Sequence, residues 1–147
     1  MPVERTLLLF KPGVLGRRIL GEVITRIERK GFEIIAAKLM KIPRSLAETH
    51  YAEHRGKPFF ESIVEFMSSA PVLAMVVERK DAISVLRAIV GATDPDKALP
   101  GTIRGDFGVL TQENIIHASD SPASAAREID LFFSKSEILP WGKEDGA

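Results

Sequence analysis

Val72-Leu73-Ala74-Met75-Val76-Val77 is an unbroken apolar run between Pro71 and Asp81. Such a run reads as a strand buried on both faces, since a surface helix would interpose polar residues every few positions. Toward the N-terminus, Thr6-Leu7-Leu8-Leu9-Phe10 is a second run of this kind, and Lys11-Pro12-Gly13 ends it with a turn signature. From Arg17 the apolar residues Ile19, Leu20, Val23, Ile24 and Ile27 recur at helical spacing. Glu22 and Arg26 can pair across one turn of that helix, and Lys30-Gly31 supplies its stop. Glu33 to Ile42 reads as a strand closed by Pro43. Ser45-Leu46-Ala47-Glu48 fits a capping box that opens a short helix to about His54. Phe60, Ile63, Val64 and Met67 form another helical stripe.

Toward the C-terminus, Asp81 is placed to cap a helix carrying Ile83, Leu86, Ile89 and Val90, with Gly91 as its stop. Between Ala92 and Asn114 the residues Pro95, Pro100, Gly101, Gly105 and Gly108 leave little periodicity. Loops longer than about 12–15 residues are uncommon in compact domains and are often functional. Ile115-Ile116-His117 reads as a short strand, and Ser121-Pro122 opens a helix to about Phe133 in the favoured cap-then-proline order. The tail Lys143-Glu144-Asp145-Gly146-Ala147 is polar and expected to fray. The order β-α-β-α-α-β-α-loop-β-α predicts two split βαβ halves in one four-stranded antiparallel sheet. That is an α/β (α+β) class fold, a ferredoxin-like sandwich with a βαββαβ core and helices packed on the sheet. A doubly wound parallel sheet would usually need more strands.

The 147 residues suit a single domain, 1–147, long enough to bury its own core. Lys plus Arg is 20 and Asp plus Glu is 20, so the chain lacks the cationic excess of a protein built to hold nucleic acid, although a local basic patch is allowed. The absence of cysteine excludes disulfide scaffolds, thiolate-bound zinc, iron–sulfur clusters and thiol catalysis. No stretch approaches the roughly 20 apolar residues of a membrane span, and Met1-Pro2-Val3-Glu4-Arg5 does not open a secretory signal. A cytoplasmic location without a membrane partner is the expectation.

The chain carries no G-x-x-x-x-G-K-[ST] loop, no G-x-G-x-x-G match at Gly13, Gly16 and Gly21, and no G-x-S-x-G elbow. His50 and His54 stand four apart on a predicted helix, which is metal-ligand spacing. Two ligands do not make a site, so both read as partly exposed surface histidines. His117 differs: it closes an apolar strand just before Ser119-Asp120-Ser121 opens a helix, a junction that holds a side chain rigidly at a cleft. Upstream, Pro100-Gly101-Thr102-Ile103-Arg104-Gly105-Asp106-Phe107 presents Arg104 between glycines. Downstream, Glu128 on the next helix can orient an imidazole.

Those two segments, Pro100 to Phe107 and Asn114-Ile115-Ile116-His117-Ala118-Ser119-Asp120-Ser121, strongly resemble nucleoside diphosphate kinase. The likeness extends through Glu4-Arg5-Thr6, Lys11-Pro12, Gly21-Glu22, Lys30-Gly31-Phe32, His50-Tyr51, Pro58-Phe59-Phe60, Gly91-Ala92-Thr93 and Ser134. The resemblance implies a ping-pong transfer: His117 takes the γ-phosphoryl of a nucleoside triphosphate such as ATP or GTP and passes it to a diphosphate such as GDP, deoxynucleotides included. It implies Lys11, Arg87 and Arg104 around the phosphates, with Mg²⁺ held mainly by the phosphates and no protein metal ligands. Phe59 is expected to stack on the base, and Thr93 and Asn114 to bind phosphate and sugar. Tyr51 should lie near Lys11 and His117, and Glu128 with Ser119 should support the histidine. A homo-oligomer is implied, a hexamer favoured over a tetramer.

The chain departs from the family pattern at four positions. Gly13 and Gly16 stand where Asp or Asn and Gln are usual, so the loop holding Lys11 is expected to be freer. Ala118 replaces a common glycine, and Thr111 stands where an apolar residue often faces the base. No proposed catalytic group is lost. The competing reading is a nucleotide-binding or interaction module with weak or no kinase activity on the same fold. Specific nucleic-acid binding is not expected, because no strand carries the aromatic-rich motif of an RNA-binding sheet.

Overall fold

The long apolar runs become the middle of a sheet with both faces covered. The structure, a computed structural model, describes residues 3–111 and 113–140, so the tail at Lys143–Ala147 lies outside the described residues. In order the elements are β1 (Val3–Phe10), α1 (Val14–Arg17), α2 (Leu20–Arg29), β2 (Glu33–Met40), α3 (Arg44–His50), α4 (Phe60–Met67), β3 (Val72–Lys80), α5 (Ala82–Val90), α6 (Ile103–Phe107), β4 (Ile116–Ala118) and α7 (Pro122–Phe132). Short 3-10 turns follow α3 and α7, at Ala52–His54 and Lys135–Glu137.

The strands lie in the order β2-β3-β1-β4, and every neighbouring pair is antiparallel. β3 sits between β1 and β2, while β1 sits between β3 and β4, so each βαβ half is split by a strand of the other. This is the expected ferredoxin-like sandwich. Residue alternation assigns the faces. Leu8, Phe10, Met75 and Val77 pack against Val23 and Ile27 of α2, Leu86 and Val90 of α5, and Ile103 of α6. Leu7, Leu9, Ala74 and Val76 pack against Ala47 of α3, Val64 and Met67 of α4, and Ile129 and Phe132 of α7. Double coverage is why β1 and β3 read as continuous apolar runs. Leu7 to Phe10 are fully buried, each worth about 1.5–3 kcal/mol relative to exposure.

Several local expectations change. Val14–Arg17 form their own turn of helix, and Arg18 at φ 58 separates it from α2. The capping box at Ser45 is absent: α3 starts two residues earlier, with Pro43 at its N-cap and no side-chain cap. Asp81 occupies the N-cap of α5 at φ 55 without capping it. The Glu4 carboxylate accepts from Ile83 N there instead, at 3.2 Å. The 92–114 stretch contains α6, whose cap is Thr102, accepting from Gly105 N at 3.0 Å. At Ser121 the expected cap forms, accepting from Ser124 N at 3.0 Å with Pro122 at the first turn. The Glu22–Arg26 pair also forms, at 3.1 Å, and Arg26 reaches on to Asp106 at 2.7 Å, tying α2 to α6.

Candidate active site

β4 aims His117. Its register partner on β1 is Leu9, so the imidazole projects to the face covered by α3 and α7, while Ile116 and Ala118 point into the opposite core. The Nε2 atom lies 2.9 Å from Oε1 of Glu128 on α7. Ser119 donates its hydroxyl to the same carboxylate oxygen at 2.7 Å, and Leu7 N donates back to Ser119 Oγ at 3.3 Å. Ser119 is fully buried and the Glu128 side chain nearly so. A chain of contacts from β1 through Ser119 and Glu128 thus fixes the ring. Burial alone would raise the Glu128 carboxyl, but the His117 hydrogen bond and charge, with the Ser119 hydroxyl, hold it below its usual range.

The cations come from two directions. Lys11 leaves the end of β1, its side chain only 7 % exposed, and donates to Asn114 Oδ1 at 2.7 Å. Asn114 Nδ2 donates in turn to Thr93 O at 2.7 Å. The glycine-flanked turn therefore brings Lys11 into a defined place, with Gly13 supplying the φ of 92 that starts α1. Arg104, on α6, donates from Nε to Asn114 O at 3.2 Å, from Nη1 to Gly91 O at 3.1 Å and from Nη2 to Ile116 O at 2.6 Å. One guanidinium so binds both ends of the 92–114 segment to β4. Burial, then the Arg104 charge, pulls the Lys11 ammonium down to about 7, and burial, then Arg87, lowers Arg104 to about 10. Arg87 reaches from α5 to Ala118 O at 3.3 Å. Unlike Lys11 and Arg104, it is exposed.

These groups line one cleft of about 630 Å³: Lys11, Tyr51, Phe59, Arg87, Thr93, Arg104, Asn114, His117 and Glu128, with Thr111 beside them. Ser119 alone of the candidate residues stands behind the wall. Phe59 is 45 % exposed; its ring lies 5.2 Å from that of His54, and the Lys57 ammonium stands 5.9 Å from its centroid. Tyr51 is buried, and its hydroxyl has no partner among the described residues. Burial raises that phenol further above its usual value, so it is a neutral donor. A second cleft of similar size, between Val3, Ile83, Pro122 and Ile138, contains none of the candidate residues.

His50 is a correction. It is 4 % exposed, not a surface residue, and its ring meets that of His117 edge-on at 4.7 Å and that of Phe132 at 5.2 Å. The α3 face that carries it is covered by α7, a contact that spacing along one helix cannot reveal. Burial, with His117 next, lowers its imidazole to about 3, so it is neutral. His54 lines the cleft too, beside Glu53, Asp120 and Ser124, three residues absent from the sequence-based site. For these no sequence signal stands out beyond their nearness to Tyr51 and His117.

Residues 4–138 match the family model described as Nucleoside diphosphate kinase. A nucleoside diphosphate kinase of Archaeoglobus fulgidus is 57 % identical over 143 residues, covering 97 % of this chain and 95 % of the relative. One of Pelotomaculum thermopropionicum is 54 % identical over 142 residues, with coverage of 97 % and 95 %. Among solved structures, the halophilic nucleoside diphosphate kinase of Halobacterium salinarum in complex with CDP superposes with a TM-score of 0.93 at 44 % identity, covering 99 % of this chain and 97 % of that one. The Aquifex aeolicus nucleoside diphosphate kinase gives 0.90 at 45 % identity, covering 94 % and 100 %.

Proposed function

The chain belongs to the nucleoside diphosphate kinase family and is a phosphotransferase acting between nucleotides, and we propose that it works by ping-pong through His117. The observation that carries this reading is the 2.9 Å contact between His117 Nε2 and Glu128. A carboxylate there takes the hydrogen bond of an Nε2–H tautomer, which leaves the lone pair on Nδ1 as nucleophile. Attack on the γ-phosphorus forms the Nδ1–P bond as the bond to the bridging oxygen breaks. The nucleoside diphosphate leaves with that electron pair. The ring then bears positive charge, and Glu128 faces it. A second diphosphate reverses the step, so neither half-reaction needs a proton shuttle.

Phosphoryl transfer is mostly positioning and electrostatics. Lys11, Arg104 and Arg87 meet the phosphates, Thr93 and Asn114 bind phosphate and sugar, Phe59 stacks on the base, and the unpartnered Tyr51 hydroxyl offers a neutral donor. The wall offers imidazoles and cations instead of an oxygen cage, with the carboxylates of Glu53 and Asp120 at the exposed rim. This donor set fits Mg²⁺ as a companion of the nucleotide phosphates, with those two carboxylates the residues that would meet it. When bound, it neutralises phosphate charge. Stacking on Phe59 reads no base edge, which supports broad use of ATP, GTP, GDP and deoxynucleotides.

The same reading takes 1–147 as one cytoplasmic domain. No helix among the described residues is long and apolar enough to cross a membrane. Leu99, Val109 and Leu110 are exposed on the 92–114 segment, as is Leu39 on the edge strand β2. Apolar exposure of this kind supports burial against further copies, and a hexamer is the assembly we favour.

Intact mass after mixing with ATP and Mg²⁺ at neutral pH tests the mechanism. One added phosphoryl group is expected, absent in His117→Gln and discharged by GDP. Nucleotide binding without the adduct would overturn the kinase mechanism in favour of a binding module.

A further inference from the structure

On the face of His117 turned toward α3 stands His50, a residue that phosphoryl transfer does not use. One ligand atom each from His50, His117 and Glu128 lie within 4.8 Å of one another. Independently of that spacing, both ring nitrogens of His50 are buried and have no hydrogen-bond partner among the described residues. A buried polar atom left unpaired costs about 1–3 kcal/mol, so an imidazole with two such atoms, 4 % exposed and packed on a second imidazole, invites a ligand. Two imidazoles and a carboxylate form the donor set of three-ligand zinc centres with one open position. The set does not suit Mg²⁺, which demands oxygen ligands.

We propose that His50, His117 and Glu128 form a binding site for a divalent transition ion of the Zn²⁺, Co²⁺ and Cu²⁺ class, and that occupancy switches the enzyme off. The inhibition follows from proton balance on one ring. A neutral imidazole carries a single proton. If the ion takes the Nε2 lone pair, that proton moves through solvent to Nδ1. The ion gains an Nε2 bond and loses a bound water, and Nδ1 loses the lone pair that attacks phosphorus. An ion on Nε2 therefore leaves a protonated Nδ1 that cannot attack phosphorus until the ion or that proton departs, so the metal blocks phosphorylation from a neighbouring atom. Glu128 exchanges its hydrogen bond from His117 for a bond to the ion and keeps that from Ser119. The Lys11 and Arg127 charges reach His50, so affinity falls below that of an all-acidic cage.

The site stands on geometry alone, whereas its effect on transfer rests on His117 being the phosphorylated residue. Co²⁺ titrated into metal-free, unphosphorylated full chain, without nucleotide, reads the first by its visible absorption. One equivalent per chain, in a low-symmetry intense band displaced by Zn²⁺, is expected. His50→Phe keeps the aromatic contact yet should lose the band and weaken binding by more than the roughly 10–100-fold that outer-sphere partners alone are worth. His54→Gln, which removes the neighbouring histidine at the rim, should keep it. No band, a band that survives His50→Phe, or one that disappears with His54→Gln would overturn the site. Wild-type chain supplies the second arm and needs no variant to fold. With free Zn²⁺ held constant by a metal buffer, it should take up no phosphoryl group from ATP and Mg²⁺, and removing the metal should restore uptake. Full uptake by Zn²⁺-saturated chain would sink the switch. Failure of the metal-free chain to be phosphorylated would instead sink the kinase mechanism and leave the Co²⁺ band untouched.

Discussion

The Glu128 carboxylate oxygen that receives His117 Nε2 at 2.9 Å is the same atom that receives the Ser119 hydroxyl at 2.7 Å. The acceptor is thus held by a fully buried residue of the segment just beyond β4, which orients the His117 ring from the core side. Its charge should matter when the ring becomes cationic. A hydrogen bond to a charged group contributes about 1.5–3 kcal/mol, so Glu128→Gln, which keeps the shape but not the charge, should slow phosphorylation about 10–100-fold. Rapid-quench measurement of the first turnover checks this, and an unchanged rate would remove Glu128 from the mechanism.

Lys11 should couple nucleotide binding to protons. Its ammonium is held at about 7 by burial and Arg104. In the unfolded chain a lysine stays protonated to about pH 10.4. Between those values the unfolded state binds more protons, so this residue makes stability rise with pH across that window. Phosphate binding needs the charged form, so ADP binding at pH 8 should take up a proton. Calorimetry in two buffers of different ionisation enthalpy reads the uptake, and Lys11→Met should abolish it. Equal uptake in the variant would assign the proton elsewhere.

Phe59 is exposed and outside both cores, so Phe59→Ala should leave stability within about 0.5 kcal/mol. Loss of base stacking, worth about 1–3 kcal/mol, should weaken ADP and GDP binding about 5–150-fold alike. Titration with both nucleotides, beside a urea melt, separates this from a packing role. A large loss of stability with normal affinity would contradict it.

Gly105 precedes no turn that needs its freedom; it is there for space. A Cβ at this position would lie 2.1 Å from Leu99 O and 2.8 Å from Thr102 Oγ1. Gly105→Ala must therefore push α6 off the backbone it packs on, carrying Arg104 with it. Overpacking of this kind costs about 1–3 kcal/mol, and nucleotide affinity should fall with it. A urea melt and ADP titration report both, and a neutral variant would show that the segment yields freely.

The parts of the fold legible in the sequence are those decided locally. β1 and β3 declare themselves because residues on both faces are apolar, and α7 because Ser121-Pro122 carries its own start signal. α5 illustrates the opposite: the group that caps it is Glu4, brought alongside by β1 pairing with β3, so Asp81 seemed the obvious cap and was not. α6 is short and has a glycine at its centre, which hides it among breakers, although Thr102 marks its start. The site was legible through the histidine segment and Arg104, whose neighbours in sequence are also neighbours in space. His50 was not, because its burial is created by α7, far along the chain. Arg104's grip on Gly91, Asn114 and Ile116 was equally hidden, since a guanidinium in a glycine-rich stretch reads as a ligand-binding charge and not as a clasp.

β4 is only three residues long, yet it is zipped to β1, which β3 pairs along its whole length on the other side. β4 stands at the sheet edge and takes its support from β1, which is paired on both sides, so slow amide exchange is expected at β1 and β3 and faster exchange at the 92–114 wall with its exposed tips. Local opening of that wall would leave the β1–β4 pairing that carries His117 intact.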